Sequence, residues 1–170
     1  MKGLGIGSCG REFGSCLNLK VSALIDEVYC APGNPGMERI GVHPVGIQEN
    51  NFEALAAFAK QHAIAWTMVG PEDALANGIV DYFTSNGLKI IGPDKQAAQL
   101  ESSKDFALNF MQKFHIPTAQ HQTCTSMEDV DAVLAQTSYP TVLKEDGPAG
   151  GTGVSNVESQ NAVLKVVATC

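Results

Sequence analysis

Leu4-Gly5-Ile6-Gly7-Ser8-Cys9-Gly10-Arg11-Glu12 reads as a short apolar strand, a glycine turn and the first turn of a helix. A strand that feeds a helix through a tight turn opens a parallel sheet, because the helix carries the chain back before the next strand begins. The strand is weakened by its own glycines, and the helix expected over residues 11–20 by Gly14. The rhythm continues downstream. Glu27-Val28-Tyr29-Cys30 is a strand ended by the turn residues 31–36, and residues 42–46 form a short strand. Asn50 or Asn51 caps a helix whose Phe52, Leu55, Phe58 and Ala59 share one face. Residues 65–69 form a strand broken by Gly70-Pro71-Glu72, residues 79–86 a helix ended by Gly87, and residues 88–91 a further strand. Such alternation predicts an α/β fold: an open parallel sheet with helices on both faces and right-handed crossovers.

A boundary is expected near Gly92-Pro93, which gives an α/β domain over 1–92, a helical linker over 93–122 and a smaller α+β piece over 123–170. In the linker, residues 95–114 read as helical with a break at Ser102-Ser103, and His115-Ile116-Pro117 makes the exit. Thr125 and Glu128 have capping-box spacing ahead of a helix that runs to residue 136. Residues 141–144 form a strand, 147–153 a glycine-rich loop, 154–157 a returning strand and 161–167 a last helix.

The 170 residues, 44% hydrophobic and 17% charged, suffice for one full domain and part of another, so a disordered chain is not expected. A net charge of -7 argues against a nucleic-acid surface, which needs clustered Lys and Arg. Five scattered cysteines without a C-x-x-C pair fit a reducing compartment. Neither an apolar leader nor a membrane-length run is evident, and a cytoplasmic location is expected.

In open α/β sheets, ligands gather at the carboxyl ends of strands, where glycine admits the backbone and the next helix offers free amides to an anion. The turn Gly7-Ser8-Cys9-Gly10-Arg11 is either a phosphate cradle, with the Ser8 hydroxyl and Arg11 guanidinium assisting, or an ordinary tight turn lacking G-x-G-x-x-G spacing. Gly70-Pro71-Glu72 puts a carboxylate at a strand end, suited to a ribose hydroxyl or an amine, or else to offsetting a helix dipole. Further on, Lys104 and Lys144 each read alone as a solvated surface residue, but Lys144 precedes Gly147-Pro148-Ala149-Gly150-Gly151-Thr152-Gly153, and a lysine beside a glycine-rich lid pairs with nucleotide phosphates as a point charge. The spacing does not match G-x-x-x-x-G-K-[ST], so a P-loop is excluded.

Five motifs stand in one order: Gly7-Ser8-x-Gly10-Arg11-Glu12, Ala31-Pro32-Gly33-Asn34-x-Gly36, Val69-Gly70-Pro71-Glu72, Gly78-Ile79-Val80-Asp81 and Gln99-Leu100-Glu101-x-Ser103-Lys104. The chain thereby resembles the phosphoribosylamine-glycine ligases of purine biosynthesis, over less than half of such an enzyme. The resemblance implies a Rossmann-like, pre-ATP-grasp domain followed by an incomplete ATP-grasp α+β subdomain. It implies ATP-dependent ligation of glycine to 5-phosphoribosylamine through an acyl phosphate, with glycine, phosphoribosylamine and ATP as small-molecule partners and magnesium alongside ATP. By position, Gly7, Ser8, Gly10, Arg11, Glu12, Asn34, Gly70, Pro71 and Glu72 would face the ribosylamine substrate. Lys104, Lys144, Gly147, Gly150, Gly151 and Gly153 would face ATP.

Departures from the family pattern set further expectations. Cys9 stands for a glycine, Phe13 for a histidine, Glu145 for an alanine, Pro148 for a leucine and Thr152 for a lid lysine. The magnesium ligands are expected beyond residue 170, so the isolated chain is expected to be catalytically incomplete. A noncatalytic phosphate- or nucleotide-binding module and a truncated remnant stay open as alternatives, as does the oligomeric state.

Overall fold

The computed structural model describes residues 1–147 and 153–167. The chain forms two compact units, Met1–Gln99 and Leu100–Cys170.

The first unit runs β1 (Lys2–Gly7), α1 (Gly10–Lys20), β2 (Glu27–Pro32), α2 (Pro35–Glu38), β3 (His43–Pro44), α3 (Phe52–Gln61), β4 (Ile64–Val69), α4 (Glu72–Ala76), α5 (Ile79–Ser85) and β5 (Ile90–Ile91). Its five strands lie in the order β3-β2-β1-β4-β5, and every neighbouring pair is parallel. Alternation along the strands divides the core in two. Leu4, Ile6 and Ala31 point to the face covered by Leu55, Ala56 and Ala59 of α3, Ala74 of α4 and Ile79, Val80 and Phe83 of α5. Val28 and Cys30 point the other way, to Cys16 of α1 and Met37 of α2. Burying both faces of a parallel sheet is the layer solution that the alternating sequence predicts.

The glycines of β1 prove useful here. A Cβ at Gly5 would lie 2.8 Å from Cys16 Sγ, so the bare backbone is what lets α1 settle onto the strand. Of the two candidate caps for α3, Asn51 serves, accepting from the Ala54 amide at 3.2 Å, while Asn50 accepts from the Asn77 side chain. Two short helices, α2 and α4, stand where the sequence reads only as turns. Asn34 caps α2 ahead of Pro35, whose ring suits the first helical position, and Glu72 and Asp73 place two acids in the first turn of α4.

Helix α6 (Lys95–Ser102) spans the division between the units. The second unit continues with α7 (Lys104–Lys113), α8 (Met127–Leu134), β6 (Thr141–Lys144), β7 (Val154–Val157) and α9 (Gln160–Val167). The helical break falls at Ser103, whose hydroxyl caps α7 by accepting from the Phe106 amide at 3.1 Å. Strands β6 and β7 pair antiparallel, and Leu134, Val157 and Val163 form the small core beneath them. The capping box differs by one residue from the expected one. Ser126 is the cap and Asp129 its partner, because Asp129 accepts from the amides of both Thr125 and Ser126 while the Ser126 hydroxyl accepts from the Asp129 amide. Glu128 has a longer side chain, but the shorter Asp129 stands at the third helical position, where the returning bond is made.

Candidate functional site

Strand order reverses between β1 and β4, so the loops after these two strands part and leave a crevice at their carboxyl ends. Gly7 ends β1 with φ +125°, a conformation that side-chain-bearing residues rarely adopt. Its carbonyl accepts from the Gly33 amide at 3.1 Å and from Cys30 Sγ at 3.3 Å. Across the crevice, the Gly70 amide donates to the Ile6 carbonyl at 3.1 Å, and Pro71 precedes the first turn of α4 without a side-chain cap.

Glu12 lies under both loops. It is buried, and its Oε2 accepts from the Cys9 amide at 2.8 Å. A Cβ at Gly70 would stand 2.0 Å from Glu12 Oε1, and one at Gly7 2.5 Å from Glu12 Cγ. The two glycines therefore make room for one carboxylate. Above it, exposed Arg11 reaches from α1 to Glu72 at the start of α4: Arg11 Nη2 lies 3.1 Å from one Glu72 oxygen and 3.2 Å from the other. The Glu72 backbone amide and then the Arg11 guanidinium hold the Glu72 carboxyl below the usual carboxylate range. That bond in turn raises the Arg11 guanidinium.

Asn34 joins the neighbouring loop to the same turn. Its Nδ2 donates to the Ser8 carbonyl at 2.8 Å, and its Oδ1 accepts from the Gly36 amide at 2.9 Å. Ser8 is half-buried, and Gly10 is exposed with nothing within 4 Å of a Cβ built on it. Thus Gly7, Ser8, Gly10, Arg11, Glu12, Asn34, Gly70, Pro71 and Glu72 converge on one end of the sheet. They differ in what they can offer: Arg11 and Glu72 present exposed charge, whereas Glu12 and Asn34 spend hydrogen bonds on holding the loops. Glu49 was not legible as part of this region, since it lies in an unpatterned stretch between elements. Burial and then the charges of Asp73 and Glu12 push its carboxyl up.

The second unit assembles a separate cluster. The Asp146 carboxylate sits at the start of α7, where Oδ1 accepts from the Lys104 amide at 2.6 Å and the Asp105 amide at 3.2 Å, and Oδ2 from the Ser103 hydroxyl at 3.1 Å. Partial burial pushes this carboxyl up, but the amides of Asp105, Lys104 and Gly147 and the Ser103 hydroxyl outweigh it and leave it below the usual range. Lys104 Nζ donates to the Gly147 carbonyl at 2.7 Å. Gly147 itself has φ +96°. Lys144, at the end of β6, is exposed; it pairs with Val154 of β7 through the backbone ladder, and its side chain makes no hydrogen bond or ion pair among the described residues. The Gly153 carbonyl accepts from the Glu145 amide at 2.9 Å. Pro148, Gly150, Gly151 and Thr152 lie outside the described residues. Asp146 ties the glycine loop to α7, a role that the sequence does not show because its partners lie some forty residues upstream.

Residues 1–101 match the family model described as phosphoribosylglycinamide synthetase, N domain, and residues 102–170 match the ATP-grasp (A) domain of the same synthetase. The chain belongs to the phosphoribosylglycinamide synthetase family. Among its relatives in that family, the phosphoribosylamine–glycine ligase of Lactococcus lactis subsp. lactis is 46% identical over 167 residues, which is 96% of this chain and 40% of that protein. The crystal structure of the phosphoribosylamine–glycine ligase of Thermotoga maritima superposes with a TM-score of 0.72 at 26% identity, covering 97% of this chain and 38% of that one. The biotin carboxylase domain of a Hydrogenobacter thermophilus 2-oxoglutarate carboxylase, in complex with MgADP, has a TM-score of 0.80 at 14% identity, covering 98% of this chain and 40% of that one, and shows the shared fold alone. The chain thus spans about 40% of the length of the curated synthetase-family relatives it matches. Among the described residues, no helix is long and apolar enough to cross a membrane, and no group of three or more His, Cys, Asp or Glu is placed to hold a metal ion.

Proposed function

We propose that the chain supplies the sugar-phosphate-recognising crevice and the first nucleotide-facing lysines of an ATP-dependent ligase that joins glycine to 5-phosphoribosylamine. The observation that carries this reading is the Arg11–Glu72 pair across the β1/β4 crevice, where one cation and one carboxylate stand exposed at the sheet's ligand end. Arg11 offers an anionic sugar phosphate a planar set of donors, and Glu72 can accept from a ribose hydroxyl or the substrate amine. Glu12 and Asn34 keep the surrounding loops at fixed separation, so these charged groups meet the substrate already oriented.

In this reading a glycine carboxylate oxygen takes the terminal phosphoryl group of ATP, giving an acyl phosphate and ADP. The substrate amine then attacks the carbonyl carbon, phosphate leaves, and an amide forms. Lys104 and Lys144 act on the nucleotide phosphates as point charges. Magnesium, when bound, neutralises charge on the transferring phosphoryl group. Among the described residues no group of three or more His, Cys, Asp or Glu is placed to hold it; that its ligands lie beyond residue 170 is implied by the family resemblance alone.

The test is calorimetric titration of the chain with ribose 5-phosphate and with ATP, followed by an assay of glycine-dependent phosphate release with freshly generated phosphoribosylamine. Saturable binding of both ligands without turnover is expected of this portion of the ligase. Absence of ribose 5-phosphate binding would remove the crevice from the reading.

A further inference from the structure

Cys16 of α1 and Cys30 of β2 are free thiols, and both are 0% exposed. The strand register sets Cys30 beside Gly5 of β1, and a Cβ at Gly5 would lie 2.8 Å from Cys16 Sγ and 3.4 Å from Cys30 Sγ. The missing side chain lets two sulfurs close over one point, where the thiols are in hydrogen-bond contact. Val28, Met37 and Val42 complete the buried cluster around them. The Cys30 hydrogen has two acceptors in reach, the Cys16 sulfur and the Gly7 carbonyl, the latter at 3.3 Å. Its bond to Cys16 draws that thiol below the ordinary range against the effect of burial, whereas Cys30, which gives the bond, is pushed up. Cys16 is therefore the nucleophile of the pair. Cys9 is no rival partner. It stands seven residues before Cys16, about 10 Å along the helix, and a disulfide needs Cα atoms within about 7 Å.

We propose that Cys16 and Cys30 form a redox switch beneath the ligand turn, open as two thiols in this structure and closed by a disulfide that ties α1 to β2. The oxidant that suits a packed core is hydrogen peroxide, which is uncharged and little larger than water. The Cys16 thiolate attacks one peroxide oxygen, the O–O bond breaks, and the leaving hydroxide takes up the proton that Cys16 released, giving a sulfenic acid and water. The Cys30 sulfur then attacks the Cys16 sulfur, the S–O bond breaks, and the hydroxyl departs with the Cys30 proton as a second water. Two thiols lose two electrons and two protons, and one peroxide becomes two waters. Closure changes the turn in two ways. It replaces a nonbonded contact with a bond of about 2.05 Å, which draws α1 toward β2. It also removes the Cys30 hydrogen, so the Gly7 carbonyl keeps the Gly33 amide at 3.1 Å and loses its sulfur donor. Gly7 ends β1 and Arg11 lies in the first turn of α1, so the crevice loses the geometry in which it meets a ligand. The effect on a ligand rests on the crevice reading, and the crosslink does not.

The test exposes the 170-residue chain, and a variant carrying Cys9→Ser, Cys124→Ser and Cys170→Ser, to hydrogen peroxide and reads the products by peptide mass spectrometry. In both proteins the peptides holding Cys16 and Cys30 are expected to be joined with the loss of two hydrogens and parted again by dithiothreitol. The melting temperature is expected to rise by several degrees on oxidation, since the crosslink closes a loop in the unfolded chain. The amide NMR signals of Gly7, Gly33 and Arg11 should shift with the crosslink, and affinity for ribose 5-phosphate should fall several-fold. Peroxide that leaves both thiols free in the folded chain, or joins them only in denaturant, would overturn the proposal. So would a crosslink that moves none of the three amide signals, or one that leaves ribose 5-phosphate affinity equal in the two states. A reduced chain that does not bind ribose 5-phosphate would remove the crevice reading, and the crosslink and amide signals would still decide the switch.

Discussion

Arg11 and Glu72 are 61 residues apart in sequence, yet one guanidinium nitrogen lies between both carboxylate oxygens at 3.1 and 3.2 Å. An exposed pair of this kind contributes little to folding, since solvent screens it and two long side chains must be held still. Its value is positional. Arg11→Ala is expected to leave the melting temperature unchanged while weakening ribose 5-phosphate binding by about ten- to a hundred-fold, the loss of one or two charge-assisted hydrogen bonds. Circular dichroism and calorimetric titration on the same preparation separate the two effects.

Gly70 and Gly10 make a contrasting pair. Gly70→Ala would put a methyl group 2.0 Å from a Glu12 oxygen, and the buried carboxylate has nowhere to retreat without losing the Cys9 amide. Overpacking of this sort costs about 1–3 kcal/mol. Gly10→Ala meets nothing within 4 Å and is expected to stay within about 0.5 kcal/mol of the parent. Urea denaturation followed by circular dichroism gives both values.

Asp146 is expected to make the start of α7 acid-sensitive. Its carboxyl lies below the ordinary value of 3.8 in the folded chain, so the folded state binds fewer protons than the unfolded one in this range. The stabilisation is therefore fully present above that ordinary value and is lost as pH falls through the lower folded value. Amide hydrogen exchange at Lys104 and Asp105 should accelerate, beyond the intrinsic pH effect, as pH drops below the ordinary carboxylate range. Asp146→Asn is expected to remove that extra dependence. An unchanged profile in the variant would show that some other group governs the opening.

The cap of α8 separates two neighbouring readings. Ser126→Ala and Asp129→Ala each remove part of the observed reciprocal box, and a lost cap costs about 1 kcal/mol. Glu128→Ala, which would break the box expected from the sequence, should change stability by less than about 0.5 kcal/mol. Thermal melts of the three variants rank them.

The rhythm of apolar strands and helices, punctuated by glycine and proline turns, made the five-stranded architecture legible, and the helical spacing of Phe52, Leu55, Phe58 and Ala59 recorded which face of α3 is buried. The break at Ser103 and the cap at Asn51 were legible for a similar reason: capping is local chemistry between residues two or three apart. Asn34 shows where local reading stops. The family resemblance marks it as a site residue, but its bond to the Ser8 carbonyl joins residues 26 apart and cannot be seen in one dimension. Glu12 presents the same difficulty in reverse. The resemblance implies that it faces the substrate, whereas the fold buries it beneath the turn. The short helices α2 and α4 were hidden because turn-forming residues also make good helix starts.

Glu12 and the two glycines over it amount to a single interlocked position spread over three places in the chain. A side chain can enter at Gly70 only if the residue at 12 shortens, yet shortening it frees the Cys9 amide and loosens the start of α1. Glu12→Ala combined with Gly70→Ala should therefore be better tolerated than Gly70→Ala alone, a coupling that a double-mutant cycle reads directly. Variation in this crevice is thus expected to come in concerted steps, with Arg11 and Glu72 free to change singly above a floor that changes only as a set.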